Sequence, residues 1–329
     1  MSNSSIVLCP GQGAQASGMG AAWREGSPAA AQVFAAADAI IDFTHLGGSL
    51  SSICFGGAAE VVNRTDVSQP ALFACGIASL AALQATGEIA QIECSAGLSL
   101  GEYTALHIAG AFSFEDGLKL VAQRGRFMQE AAEASRGGMV ALIGADESQA
   151  QQVCDTAAQG DVLVCANFNA PGQIVLSGAA AACDRALEAA SAAGCRATRL
   201  QVAGAFHSPL MQPAADRMAQ VLESVALHPL KHDVWSNVTA ATHARNDPAT
   251  LRKLLVQQIV SPVRWSQSMA ALGASLQGRN PRPAFHELAP GSVLKGLMRR
   301  IDKSCEITSH DKPDKPDKPA KQVEPAQPA

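Results

Sequence analysis

Ile92-Glu93-Cys94-Ser95-Ala96-Gly97-Leu98-Ser99-Leu100-Gly101-Glu102 is the stretch on which the reading of this chain turns. Ile92–Ala96 reads as a short strand, and a Gly-x-Ser-x-Gly turn (Gly97, Ser99, Gly101) leads from it straight into a helical segment. A serine on such a strained turn needs small neighbours, because the turn presses backbone against backbone. Its hydroxyl then points outward with a helix N-terminus behind it, and the N–H of Leu100 faces any oxyanion that develops. The same pattern also serves as a plain strand-to-helix turn, so Ser99 is a candidate nucleophile that needs partners.

On either side of this turn, strands and helices alternate. Ile6–Cys9 is a short β-rich run, Ser27-Pro28 opens an alanine-rich helix, and a long helix is expected from about Ser68-Gln69-Pro70 to Gln84. The alternation predicts an α/β core with a mostly parallel sheet. From about Gly138 to Val202 the rhythm changes. Strands at Met139–Ile143, Val162–Ala166, Ile174–Leu176 and Ala197–Val202, with helices at Glu147–Ala157 and Ala180–Ala192, give the order βαββαβ. That is a ferredoxin-like unit. It predicts a small subdomain at residues 138–203 inserted into a core made of residues 1–137 and 204–310. The core resumes with a helix opened by Ser208-Pro209, a strand near Val234–Val238, a helix from about Pro248 to Val260 and a strand-turn-helix around Phe285–Arg300. Residues 311–329 are rich in lysine, aspartate and proline and read as a disordered tail.

Composition narrows the function classes. The chain has 329 residues, 47% hydrophobic and 16% charged, which excludes disorder as its main theme. With 25 Lys and Arg against 29 Asp and Glu, its net charge of −4 gives no field for holding nucleic acid. The 9 cysteines stand singly without a C-x-x-C pair, which fits neither a disulfide framework nor a zinc ribbon and points to a reducing cytoplasm. No uninterrupted apolar run reaches the ~20 residues of a membrane helix, and the N-terminus lacks the pattern of a signal peptide. No membrane partner is expected.

Among the 8 histidines, His207 has the most suggestive setting. It precedes Ser208-Pro209, and a histidine facing a helix N-terminus tends to stay neutral and able to accept a proton. His228 and His232 have i,i+4 spacing, but Pro229 between them spoils a helical metal face and no other ligands accompany them; no metal is expected. Ser113-x-x-Asp116 opens a helix whose buried stripe carries Leu118, Val121, Gly125 and Met128, and Arg124 falls on that stripe. A buried guanidinium must be paired. Arg124 therefore either has a structural carboxylate partner or awaits an anionic ligand. Gly11-x-Gly13-x-x-Ala16 after the first strand fits a dinucleotide fingerprint, yet its acidic partner would be Asp38, inside a helical segment. The alternative is that this loop brings the Gln12 N–H to Ser99 as a second oxyanion donor.

Together these pieces resemble the malonyl-CoA:acyl carrier protein transacylase family, including the acyltransferase domains of polyketide and fatty acid synthases. The resemblance runs from Val7 to about Ile301 through ordered motifs: Pro10-Gly11-Gln12-Gly13-Ala14-Gln15, Gly97-x-Ser99-Leu100-Gly101-Glu102-Tyr103, Gln123-Arg124-Gly125-x-Phe127-Met128-Gln129, Asn167-Phe168-Asn169-x-Pro171-Gly172-Gln173, Phe206-His207-Ser208-x-Leu210-Met211 and Pro290-Gly291-x-Val293-Leu294. It implies an α/β-hydrolase-like core with the ferredoxin-like insertion, malonyl-CoA and holo acyl carrier protein as partners, and no cofactor. It implies that Ser99 is acylated with His207 as base, that Gln12 and Leu100 give the oxyanion N–H groups, and that Arg124 binds the malonyl carboxylate. Gln258, within Gln257-Gln258-Ile259-x-x-Pro262-Val263-x-Trp265, would help to orient the imidazole; Phe206 and Asn169 would contact substrate, and Phe206 matches malonyl-selective members. Many members carry histidine where this chain has Leu98, which leaves more of the carboxylate contact to Arg124. An acidic carrier protein would dock on a local basic patch, for which Arg196, Arg199, Lys295, Arg299 and Arg300 are candidates. The rival readings are a serine hydrolase or thioesterase acting on acyl thioesters, and a non-catalytic subunit that binds acyl-CoA or carrier protein.

Overall fold

The computed structural model describes residues 4–313. Strand β1 (Ser4–Cys9) leads through helices α1 (Ala21–Gly26), α2 (Pro28–Ile40), α3 (Leu50–Gly56), α4 (Ala59–Val62) and α5 (Thr65–Ala85) to β2 (Gln91–Gly97). Helices α6 (Leu100–Ile108) and α7 (Phe114–Ala134) follow. The chain then builds a second sheet from β3 (Gly137–Ile143), α8 (Glu147–Ala158), β4 (Leu163–Ala170), β5 (Gln173–Ala179), α9 (Ala180–Ala192) and β6 (Arg196–Arg199). It returns through α10 (Gln212–Ser224), β7 (Asp233–Val234), α11 (Pro248–Val260), α12 (Trp265–Ser275), β8 (Ala284–Glu287), α13 (Val293–Ile301) and β9 (Ile307–Ser309).

The first sheet has the order β7-β2-β1-β8-β9, and every pairing in it is parallel. Its central strand β1 shows why helices cover both faces. Val7 and Cys9 pack into a core shared with Phe34, Phe73, Leu100 and Val121, whereas Ile6 and Leu8 pack with Trp265, Met269, Leu294 and Met298. A strand buried on both faces reads as a continuous apolar run, as Ile6–Cys9 does. The second sheet is antiparallel with the order β4-β5-β3-β6 and has its own core, including Val140, Leu142, Val153, Leu176 and Ala186. Two backbone hydrogen bonds stitch the end of β4 to the segment between α11 and α12: Phe168 N–H to the Val263 carbonyl at 2.9 Å, and Val263 N–H to the Ala166 carbonyl at 2.8 Å.

Several elements differ from the sequence expectation. Helix α5 begins at Thr65 and carries Pro70 inside it, because its start is set from outside: the Thr65 N–H donates to Gln129 Oε1 at 3.0 Å. That helix is long and apolar enough to cross a membrane, but 89% of the qualifying window is buried in the protein, where it is the central core helix. The strand expected at Val234–Val238 ends after Val234, where Ser236 and Asn237 turn toward the serine elbow. Ser208-Pro209 opens a single 3-10 turn, Pro209–Met211, before α10 starts. The small sheet's last strand spans Arg196–Arg199 and stops short of Val202. Helix α12 and the edge strand β9 had no clear signal in the sequence. The expected tail begins later than residue 311, since Asp311 Oδ1 accepts the Gly291 N–H at 2.6 Å; residues 314–329 lie outside the described residues.

Glycines make the close approach at the elbow possible. A Cβ on Gly97 would overlap the Gly101 carbonyl, one on Gly101 would overlap the Cys9 carbonyl, and one on Gly11 would overlap the Leu98 carbonyl. In each case the obstacle is backbone, which no side-chain rotation relieves. Gly97→Ala is therefore expected to cost about 3 kcal/mol or more, at the upper end of overpacking effects, in urea unfolding. Gly296→Ala, at a helix-interior site with nothing within 4 Å of the added methyl, should instead gain about 0.5–1 kcal/mol.

Candidate active site

Ser99 caps α6 with φ 52° and ψ −102°, a conformation that non-glycine residues rarely hold. What holds it is Asn237. Its Oδ1 accepts the Ser99 N–H at 2.6 Å, and its Nδ2 donates to the Gly97 carbonyl at 2.8 Å, so one side chain clamps both sides of the turn. His207 is strained in the same sense, with φ 57°. Two of the four non-glycine residues with positive φ among the described residues thus meet here.

The Ser99 Oγ and His207 Nε2 lie 2.8 Å apart, and His207 Nδ1 lies 2.8 Å from the main-chain carbonyl of Gln258. A carbonyl only accepts, so Nδ1 carries the hydrogen and Nε2 presents its lone pair to the serine hydroxyl. Gln258 therefore orients the imidazole through its backbone, whereas the sequence reading named the residue without saying which of its groups would do so. Burial, followed by the nearby Arg124 charge, pushes the His207 pKa down to about 4. The imidazole is thus neutral at physiological pH, for reasons other than the helix N-terminus that its position before Ser208-Pro209 suggested.

Arg124 lies on the buried stripe of α7 and is 1% exposed. Its Nη1 donates to Gln69 Oε1 at 2.8 Å, and its Nη2 donates to Gln258 Oε1 at 2.8 Å and to Ser99 Oγ at 3.1 Å. Its Nε is buried without a partner, and the guanidinium sits 5.2 Å from the centre of the Tyr103 ring. Among the described residues no carboxylate bonds to it. Of the two sequence readings of Arg124, the structural carboxylate partner is absent; a buried cation held only by neutral acceptors borders the serine.

Beneath the elbow lies a second buried charge. Glu102 Oε1 faces His243 Nε2 at 2.6 Å, and Glu102 Oε2 accepts from Gln258 Nε2 at 2.5 Å and from the Asn237 N–H at 3.2 Å. Sequence reasoning quoted Glu102 within its motif but gave it no role, and it missed Asn237, Gln69 and His243. Asn237 sits one turn beyond a two-residue strand and nothing in its neighbours marks it; only the tertiary fold brings it to Ser99.

A cavity of about 420 Å³ opens over Ser99 and His207, lined also by Gln12, Leu98, Asn167, Asn169, Phe206 and Val293. Gln12 is there because Gly11 rests on the Leu98 carbonyl, which places the first loop beside the elbow. Asn169 Oδ1 is buried in this wall without a protein partner. Leu98 puts an apolar side chain at the position next to the nucleophile. Of the proposed basic patch, Arg196, Arg299 and Arg300 are exposed, but Arg199 is engaged by Asp184. Among the described residues, the grouping of three metal-capable side chains is Glu88, His286 and His310, and none of them lines this cavity. The His228–His232 pair gathers no other ligand there; His232 instead bonds Ser95 Oγ at 2.9 Å.

Residues 6–323 match the acyl transferase domain family. The malonyl CoA-acyl carrier protein transacylase of Bacillus subtilis (strain 168) is 39% identical over 308 residues, covering 93% of each chain. That of Escherichia coli (strain K12) is 38% identical over 305 residues, covering 92% of this chain and 94% of its own. The solved malonyl CoA-acyl carrier protein transacylase from Coxiella burnetii superposes with a TM-score of 0.87 at 36% identity, covering 95% of both chains. A solved complex of a type II PKS acyl-carrier protein with its malonyl-transacylase gives 0.86 at 35% identity, covering 94% of this chain and 96% of that one. On these grounds the chain belongs to the acyl transferase family, in the group of the malonyl CoA-acyl carrier protein transacylases.

Proposed function

We propose that this enzyme moves a malonyl group from malonyl-CoA to the phosphopantetheine thiol of an acyl carrier protein, through a malonyl ester on Ser99. One observation carries the choice: a buried, carboxylate-free guanidinium lies 3.1 Å from the nucleophilic oxygen. A hydrolase acting on neutral acyl thioesters has no use for that cation, and burying it without a ligand is costly. A malonyl thioester bound with its carbonyl at Ser99 would bring its free carboxylate to the guanidinium edge, where a planar fork meets a planar anion.

The chemistry follows from the geometry. His207 Nε2 takes the Ser99 proton as Oγ attacks the thioester carbonyl. The N–H groups of Gln12 and Leu100 face the developing oxyanion. The tetrahedral adduct collapses, CoA leaves as a thiol after taking the proton back from His207, and the carrier thiol repeats the sequence in reverse. A main-chain carbonyl suffices to orient His207 because a thiolate leaves more readily than an amine. Phe206, Asn169 and Asn167 line the acyl and pantetheine side of the cavity. No metal or bound cofactor enters. The buried, unpaired thiols support a cytoplasmic setting, and the separate core of the antiparallel sheet supports treating residues 138–203 as an inserted subdomain in a core of residues 1–137 and 204–310.

Intact mass after brief exposure to malonyl-CoA tests the mechanism: one malonyl adduct is expected on the wild type, none on Ser99→Ala, and discharge when holo carrier protein is added. Absence of an adduct on folded protein would sink it. Arg124→Ala should slow malonylation by roughly 10²-fold, the loss of about 3 kcal/mol from hydrogen bonds to a charged group, with acetylation from acetyl-CoA little affected.

His207 also sets a pH dependence. With its pKa held near 4, the base is neutral above that pH and lost by protonation below it. The acidic limb of kcat/KM should therefore lie far below the ordinary histidine value, and Arg124→Ala, by removing a depressing charge, should move the limb for acetyl transfer upward. Steady-state rates from pH 3.5 to 8 check this. Arg299→Glu with Arg300→Glu, at the exposed end of α13 whose first residue Val293 borders the cavity, should raise the KM for carrier protein about tenfold without slowing malonylation of Ser99.

A further inference from the structure

We propose that Glu102 is a positioning residue for malonyl selectivity: by fixing which way round the Gln258 side-chain amide sits, it sets the Arg124 guanidinium where the substrate carboxylate is read. The inference rests on the functional reading above and concerns the residues behind the clamp.

Glu102 stands one turn after Ser99 on α6 and is 1% exposed. Three N–H groups converge on its two oxygens, from His243, Asn237 and Gln258. His243 Nδ1 has no partner, which fits a ring that carries its hydrogen on Nε2, toward the carboxylate. Glu102 thus acts purely as an acceptor. A side-chain amide has a donating end and an accepting end, and against a pure acceptor only the NH2 end can face inward. The Gln258 NH2 accordingly donates to Glu102 Oε2 at 2.5 Å and to the Ser99 carbonyl at 3.0 Å, and the amide oxygen is forced to the other side. There it receives Arg124 Nη2 at 2.8 Å.

The reversed amide would set two donors against each other at Nη2 and an oxygen against a carboxylate. Glu102, with the Ser99 carbonyl on the same side of the amide, therefore fixes the orientation, although it makes no hydrogen bond to Arg124. The arrangement separates two tasks. Neutral oxygens, from Gln258 on Nη2 and Gln69 on Nη1, aim the guanidinium, while the compensating negative charge stays on the far side of the Gln258 amide. A carboxylate placed directly on Arg124 would aim it equally well but would fill the place of the ligand. Because His207 is oriented by the Gln258 backbone carbonyl, turning the side-chain amide leaves the general base in place.

Glu102→Gln keeps the volume and removes the charged acceptor from the rule, since an amide at position 102 can face Gln258 with either end and the Ser99 carbonyl is left to oppose reversal. Ser99 acylation by malonyl-CoA and by acetyl-CoA is followed by rapid-quench intact mass for the wild type, Glu102→Gln, Arg124→Ala and the double variant, with thermal melts confirming the fold. Glu102→Gln is expected to lower kcat/KM for malonyl-CoA about 10–100-fold, to change that for acetyl-CoA less than about threefold, and to add nothing further in the Arg124→Ala background. Equal losses with both acyl groups, or a further full loss on top of Arg124→Ala, would overturn the proposal and make Glu102 a support of the elbow alone. If Glu102→Gln does not fold, Glu102→Asp, which keeps a carboxylate but draws it back from the Gln258 amide, must give a malonyl-specific loss in the same direction; an equal loss with acetyl-CoA overturns the relay. A wild type that takes no malonyl group on Ser99, or an Arg124→Ala that loses both acyl groups alike, would instead bring down the functional reading, and the relay with it.

Discussion

A guanidinium with no carboxylate beside it, buried within hydrogen-bond reach of a serine hydroxyl, is the constraint around which the rest of this molecule is arranged. At 1% exposure Arg124 has almost no water to solvate it, and deprotonation is closed to it. The protein therefore surrounds it with acceptors that leave it charged: two amide oxygens, a hydroxyl and an aromatic face. Each comes from a different element, α5, α11, the elbow and α6, so these elements must dock in one relative position for the cation to be tolerated at all. Burial first and this cation second keep the neighbouring imidazole neutral, which couples the reading of the substrate to the readiness of the base.

The second constraint is backbone crowding. Ser99 and His207 both hold left-handed conformations, and three glycines let main chain from β1, β2 and α6 meet with no room for a methyl group. Strain of this kind persists only where surrounding bonds over-determine it. Here Asn237 does so for the serine, and the Gln258 carbonyl fixes the ring of the histidine. The result is a hydroxyl and an imidazole aligned without a third catalytic side chain.

Much of this was legible from the amino acids. The strand-turn-helix at Ile92–Glu102, the βαββαβ order across residues 138–203 and the inward place of Arg124 on its helix all follow from local spacing, and the structure has them where spacing put them. The helix at Ala180–Ala192 agrees to the residue, and the one expected from about Pro248 to Val260 spans those residues. What local pattern missed was decided by distant groups. Gln129 starts α5 before Pro70 by claiming a backbone N–H of that helix, and Asn237 pulls the chain out of the sheet after Val234 by reaching backbone groups of the distant elbow. Glu102 and Gln69 were visible as residues but mute as roles, because a buried carboxylate or amide acquires meaning only from what it faces.

The two hydrogen bonds between β4 and Val263 tie the wall bearing Asn167 and Asn169 to the chain just beyond Gln258. The antiparallel sheet is thus riveted to the very segment that aims the imidazole, and swinging it aside would drag the base off the serine. Opening the cleft by a hinge between the two sheets would cost both bonds, on the order of 1–3 kcal/mol. With the sheets held in this relative position, an acyl donor enters past side chains at the rim, such as Val293. This suits a carrier arm with its reactive thiol at the tip, and it disfavours any acceptor too bulky to enter end first.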